Sequence, residues 1–242
     1  MRKVIMALAA DASLIPHVYD YCDQWCRYCR ITDRCLVYST ERVREGRTSS
    51  AVKEAPEVFG AALEFSRAVA AATGTAIAKF DVLLTHPRKA PRKGAIGHPL
   101  ELLGRQYGML SQAFLESVGF DYWGLPRAPE ATALTVVGWF HWMIPSKIYR
   151  ALLSAQRTGT DPAFADDANG SAKLVLVAID RSRAALDEMS KADADARIDG
   201  LRDYLAVLSS AVEARFPDAR TFIRPGLDEG DLTPRAEHLE PA

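Results

Sequence analysis

The sequence predicts an all-α fold, a multi-helix bundle of about six or seven helices with a cysteine-rich helix or turn near its N-terminus. Three observations carry that expectation. Apolar residues recur at alternating three- and four-residue steps in several separate segments, the period of a helix that buries one face. Prolines or glycines mark the ends of several of those segments, at Gly74, Pro99, Gly119 and Pro217. With 48% hydrophobic and 25% charged residues, the 242-residue chain can bury a sizeable core.

Taken in order, Val58, Ala62, Phe65 and Val69 form one stripe, stopped at Gly74. Leu100, Leu103, Tyr107, Leu110 and Phe114 form the next, with Pro99 suited to its first turn and Gly119 to its C-terminal stop. Leu134, Val137, His141, Ile144 and Ile148 form a third stripe, interrupted by Pro145. A proline inside a helix leaves the carbonyl four residues back, that of His141, without its partner, so a kink is expected there. Ser171 is placed to cap a helix over "AKLVLVAIDRSRAALDEM", whose β-branched first half also suits a strand. Ile198, Leu201, Leu205, Leu208 and Val212 repeat the helical stripe up to Pro217.

Three segments read as surface. "THPRKAPRKG" sets Arg88, Lys89, Arg92 and Lys93 among prolines, and "TGTDPAFADDANG" reads as an acidic connector. From Pro217 onward, four prolines and "LDEGDL" predict a loosely packed tail. The expected organisation is therefore one helical domain over 1–216 and an acidic, proline-rich tail over 217–242.

Lys plus Arg number 30 and Asp plus Glu 31, so a net charge of −1 predicts neither a nucleic-acid footprint nor attraction to an anionic membrane. No apolar run approaches the roughly 20 residues that span a bilayer. The opening "MRKVIMALAADAS" has a basic tip, but its short apolar stretch meets Asp11 at once, so no cleaved signal is expected. A reducing, cytoplasmic location follows as an expectation. In that setting clustered cysteines bind metals or do redox work more often than they form structural disulfides.

All four cysteines lie in "YCDQWCRYCRITDRC", spaced C-x3-C-x2-C-x5-C as Cys22, Cys26, Cys29 and Cys35. On a helix the first three share one face, and Cys22 to Cys29 would span about 10 Å along the axis. Thr32 and Asp33 favour a turn that brings Cys35 back as a fourth ligand. The competing reading is an inert core helix, because Ile15, Tyr19, Cys22, Cys26 and Cys29 also make an apolar stripe and free cysteine is often buried. Packing alone would scatter cysteines over several helices, whereas the other stripes contain none.

Four thiolates satisfy either a [4Fe–4S] cluster or tetrahedral zinc. Structural zinc takes two separated pairs, and only one pair here has the two-residue gap. Crowding favours the bulkier cluster, with Tyr21, Trp25 and Tyr28 to shield it and Arg27, Arg30 and Arg34 to offset its charge. Cys26-x2-Cys29-x5-Cys35 resembles the spacing of SPASM-type auxiliary cluster domains and of the iron staple in RecB-type nucleases. Cys22-x3-Cys26-Arg27-Tyr28-Cys29 resembles the radical SAM signature. The resemblances cover some fourteen residues and imply a [4Fe–4S] cluster on these cysteines, or S-adenosylmethionine chemistry if one iron stays open. The chain lacks a Gly-Gly-Glu run and the βα alternation of a radical SAM barrel.

The expectation is an iron–sulfur protein with an electron-transfer or cluster-dependent role and a redox partner protein. The alternatives are a zinc- or cluster-stapled scaffold and a radical SAM-like enzyme.

Other patterns point to structure. No histidine follows an acidic residue by three positions, so the di-iron Glu-x-x-His pairs are missing. His98 and Glu101 suit a helix cap, and His141, on an apolar stripe, suits a buried hydrogen-bonded ring. Asp167, Asn169 and Gly170 resemble the middle of a calcium loop, but Ala165 and Leu176 stand where its first and last carboxylates belong. Asp180 and Arg181 are expected to form surface or interhelical ion pairs. No P-loop, G-x-G-x-x-G or G-x-S-x-G motif is present.

Overall fold

The structure, a computed structural model, describes residues 8, 10–45, 94–122, 132–159, 161 and 163–228, with backbone alone for 43–45. Among the described residues the regular structure is helical, with no strand. The helices are α1 (Leu36–Glu45), α2 (Pro99–Ser117), α3 (Ala133–Phe140), α4 (Met143–Ala155), α5 (Ala163–Ala192) and α6 (Ala196–Arg215). The 58–74 stripe and the basic loop at 88–93 lie outside the described residues.

The chain divides into two compact units. The first takes Met1–Tyr19, Cys26–Ala90 and Pro225–Ala242; the second takes Asp20–Trp25 and Pro91–Arg224.

The second unit is a helical bundle. Helices α3, α4 and α6 all pack on the long α5, while α2 packs on α4 and α6. Its core includes Tyr107, Leu115, Val137, Phe140, Ile144, Ile148, Leu176, Ile179, Leu186, Leu205 and Leu208. Helix α2 starts as its sequence predicts. His98 Nδ1 accepts from the Leu100 N–H at 3.1 Å, which satisfies a donor of the first turn, and Glu101 Oε2 reaches back to accept from the N–H of Gly97, just before the cap, at 3.1 Å. It ends at Gly119, whose φ of 69° lets the Phe120 N–H return to the Leu115 carbonyl at 3.0 Å.

The buried face of α2 is rotated from the apolar stripe. Leu110 is exposed, whereas Gly104, Gly108 and Ser111 are buried. A Cβ on Gly104 would stand 2.8 Å from Ile148 Cδ1, and one on Gly108 would stand 3.0 Å from the Trp142 ring. The glycines let α4 approach closely, and that contact decides which face is covered.

The third stripe is two helices. Helix α3 stops at Phe140 and α4 begins at Met143, with Pro145 in its first turn. The missing Pro145 N–H ends the hydrogen-bond ladder at His141 rather than bending a continuous helix.

Helix α5 begins eight residues before Ser171, which is buried inside it. Residues 163–170 of the segment that reads as an acidic connector form its first two turns. Asp161 starts it, its Oδ1 accepting from the Ala163 N–H at 3.0 Å. Helix also replaces the strand alternative for "KLVLVAI". Helix α6 buries Ile198, Leu201, Leu205, Leu208 and Val212 as its stripe predicts. Beyond it, Phe216 and Ala219 are buried in the same core, and Arg220 pairs with Asp180 and Glu213. Residues 217–224 thus pack against the bundle, while 229–242 lie outside the described residues.

The described part of the first unit is small. Val18, Ile31 and Cys35 are buried together, with Ile15, Tyr19, Cys29, Val37, Tyr38 and Leu227 packed against them. The Ile15 N–H donates to the Arg34 carbonyl at 2.9 Å, Arg34 Nε to the Ser13 carbonyl at 3.3 Å, and Arg30 to the Leu227 carbonyl at 2.7 Å. No described helix in either unit is long and apolar enough to cross a membrane.

Candidate metal-binding segment

Residues 15–35 are not a continuous helix. They form short 3-10 turns at Val18–Asp20, Cys26–Tyr28 and Thr32–Arg34. Two residues explain the breaks: His17 and Gln24 take positive φ values of 62° and 57°, outside the helical region. Asp23 adds a third cause, because its Oδ1 accepts the Trp25 N–H at 3.1 Å and competes with helical pairing. The apolar stripe from Ile15 to Cys29 therefore does not lie along one helix face.

No cysteine is in a disulfide; Cys22, Cys26 and Cys29 are half-buried and Cys35 is buried. In the first unit, Cys26 opens a 3-10 turn, and its carbonyl accepts the Cys29 N–H at 3.1 Å. Cys29 and Cys35 both pack in the cluster of Val18 and Ile31. The turn expected at Thr32 and Asp33 is present, and Cys35 follows it directly. Tyr28 is exposed, and Arg30 and Arg34 are engaged by main-chain carbonyls.

Cys22 lies in the second unit on residues 20–25, a non-helical strap held at both ends. On its N-terminal side, Lys147 Nζ donates to the Asp20 carbonyl at 3.3 Å, and Arg150 lies 3.8 Å from the Asp20 carboxylate. Arg150 Nε also donates to Asp167 Oδ1 at 3.0 Å, and the Ser154 hydroxyl donates to the same carboxylate. The Tyr21 ring meets Phe222 edge-on at 5.1 Å and lies over Gly170, where a Cβ would stand 2.3 Å from Tyr21 Cε1. On its C-terminal side, Trp139 Nε1 donates to the Asp23 carbonyl at 2.8 Å, and the Asp23 carboxylate pairs with Arg181. Trp25 is buried and stacks on Trp139 at 5.0 Å with the planes 10° apart.

Burial and the Asp167 charge push the Tyr21 hydroxyl up to about 12. Burial holds the Lys147 ammonium below its ordinary value, with Arg150 adding to that, while Cys22, Asp167 and Asp20 oppose it. Both shifts reflect a polar seat partly withdrawn from water. Asp180 and Arg181 form the expected ion pairs, with Arg220 and Asp23.

His141 is buried, its Nδ1 lying 2.6 Å from the Gly138 carbonyl. A carbonyl only accepts, so Nδ1 carries the proton. Burial holds the ring's pKa below its ordinary value, and the Gly138 carbonyl opposes this. This is the hydrogen-bonded core histidine its stripe suggests.

The donor chemistry of the cysteine segment fits a thiolate-held metal group: four reduced sulfurs in fourteen residues, three of them half-buried. Among the described residues, no group of three or more His, Cys, Asp and Glu side chains is placed to hold a metal ion. Sequence reading did not reach the strap's anchors. Trp139 and Arg181 lie 116 and 158 residues from Asp23, and no local pattern marks them.

No protein-family model, no curated protein and no solved structure matches this chain.

Proposed function

We propose that Cys22, Cys26, Cys29 and Cys35 bind a [4Fe–4S] cluster, and that the protein serves electron transfer or cluster-dependent redox chemistry with a redox partner protein. The observation that carries this reading is the confinement of every cysteine of the chain to one segment built of short turns. Short 3-10 turns, unlike a continuous α-helix, allow main-chain adjustment that draws sulfurs together. Metal binding and local ordering would then be coupled. When bound, such a cluster supplies a one-electron couple, its potential set by nearby charge and solvent access. Of the segment's arginines, Arg30 and Arg34 are held by carbonyls in the first unit, so their charges have fixed places near Cys29 and Cys35 in sequence.

A second reading, a structural zinc or iron–sulfur staple, is favoured by the packing of Cys29 and Cys35 together with Val18 and Ile31 in the first unit. The test is metal and sulfide analysis of anaerobically purified protein. The proposed function predicts about four irons and four sulfides per chain, with a reversible one-electron couple. One zinc per chain supports the staple, and neither metal refutes both readings. Cys35→Ala should lose or convert the cluster as Cys22→Ala does. A full cluster in Cys35→Ala, with a spectrum that S-adenosylmethionine perturbs in the wild type, would instead support a radical SAM-like enzyme.

A further inference from the structure

We infer that the hydroxyls of Tyr107, Ser111 and Ser182 hold a water molecule inside the helical bundle, at a site independent of any metal on the cysteines. Tyr107 and Ser111 stand one turn apart on α2 and Ser182 stands on α5, and all three side chains are sealed from solvent. Burial pushes the Tyr107 hydroxyl above its ordinary range, and Ser182 and Ser111 are close enough to oppose that shift. Neither serine is placed to bond the phenol directly. The Tyr107 hydroxyl and Ser182 Oγ both lack a hydrogen-bond partner among the described residues.

A buried hydroxyl has lost its hydrogen bonds to bulk water on folding, and in native proteins such a group meets a protein partner or an internal water instead. Tyr204 supplies the contrast. Its ring is stacked beside that of Tyr107, and its hydroxyl donates to the Leu103 carbonyl at 3.1 Å. The donors and acceptors around the Tyr107 hydroxyl fit one water. Ser111 Oγ gives its hydrogen to the Tyr107 carbonyl at 2.7 Å, with the Gly108 carbonyl at 3.2 Å, so toward the site it only accepts. Tyr107 and Ser182 each keep a hydrogen to donate. A water among the three accepts from Tyr107 and Ser182 and donates to Ser111, about three bonds, the usual number for an internal water. Two neighbours of Ser182 on the buried face of α5, Ala178 and Ala185, end at a methyl group and crowd the place little.

The experiment is magnetic relaxation dispersion of water oxygen in solutions of the full chain, where long-lived internal waters raise the low-frequency relaxation in proportion to their number. The double variant Tyr107→Phe/Ser182→Ala leaves Ser111 as the remaining hydroxyl, too few partners for an internal water. Ser182→Val instead fills the place with methyl groups. Each should lower the low-frequency excess by about one water per chain, with helical circular dichroism retained. Tyr204→Phe, which removes a hydroxyl already bonded to a carbonyl, should leave the excess unchanged. If the double variant does not fold, Ser182→Val decides. An undiminished excess in a folded variant, or a wild-type chain with no long-lived water, would overturn the inference and leave the three hydroxyls bonding one another directly. An equal loss in Tyr204→Phe would overturn it as well, because the water would then not belong to Tyr107 and the serines.

Discussion

Replacing Gly170 with alanine tests whether the strap is seated as described, because two effects of opposite sign meet at this position. Gly170 lies inside α5, where alanine is favoured over glycine by about 1 kcal/mol through backbone entropy alone. Against that, the new Cβ would stand 2.3 Å and 2.4 Å from two atoms of the Tyr21 ring and 3.0 Å from Phe222. Carbon atoms rest at about 3.5–4.0 Å, so the ring must retreat by about 1 Å or more. Tyr21 has Phe222 against its edge, and its main chain lies between the held residues Asp20 and Asp23, so retreat is opposed. Overpacking of this kind costs about 1–3 kcal/mol, and unseating the ring adds lost apolar burial. The clash outweighs the helix gain, and Gly170→Ala should destabilise the protein by about 1–2 kcal/mol.

Gly200→Ala is the matched control. It lies inside α6, and a Cβ there meets nothing within 4 Å. Only the helix term operates, so this variant should be more stable than wild type by up to about 1 kcal/mol. The assay is urea unfolding followed by helical circular dichroism, with midpoints compared at constant slope. A Gly170→Ala protein as stable as Gly200→Ala would refute the seating of Tyr21 on α5.

The remaining expectations concern the buried polar groups of the second unit. The folded-state pKa of His141 lies below its ordinary value of 6.5, so below that pH the unfolded chain binds the proton more readily. Its contribution to stability is complete above pH 6.5 and is lost as pH falls through the lowered folded value, with a slope of at most about 1.4 kcal/mol per pH unit. Urea midpoints over that range should flatten in His141→Gln; an unchanged profile would show that other groups set it. Asp167→Asn weakens a carboxylate that receives both Arg150 and Ser154. Because Arg150 is partly exposed, the expected loss is about 1–2 kcal/mol rather than that of a buried pair. A double-mutant cycle with Arg150→Met should show coupling of about 0.5–1.5 kcal/mol, and additive losses would argue against the pair.

Where local chemistry is complete, the amino-acid order alone was sufficient. Helix α2 is legible from His98, Pro99, Glu101 and Gly119 because each acts on main-chain groups within four residues of itself. Helix α6 is legible from its apolar period, and Pro145 marks the place where the third stripe is interrupted, although it reads as a kink and the structure has two helices. The crowding of the four cysteines is likewise a property of the sequence itself, as are the capping role of His98 and the buried place of His141.

Tertiary contacts decided the rest. The first turns of α5 read as a connector because Asp166, Asp167 and Gly170 disfavour an isolated helix. They are helical where Arg150 and Ser154 satisfy Asp167 and where Gly170 makes room for the Tyr21 ring. The apolar spacing from Ile15 to Cys29 suits a helix, yet Asp23 takes a local N–H and Gln24 is turned left-handed. Trp139 and Arg181, more than a hundred residues away in sequence, hold that conformation. A sequence pattern records which side chains recur and at what interval; it carries no record of a partner brought in by the fold. For that reason the number and spacing of the thiols could be read from the chain, and the path of the chain that carries them could not.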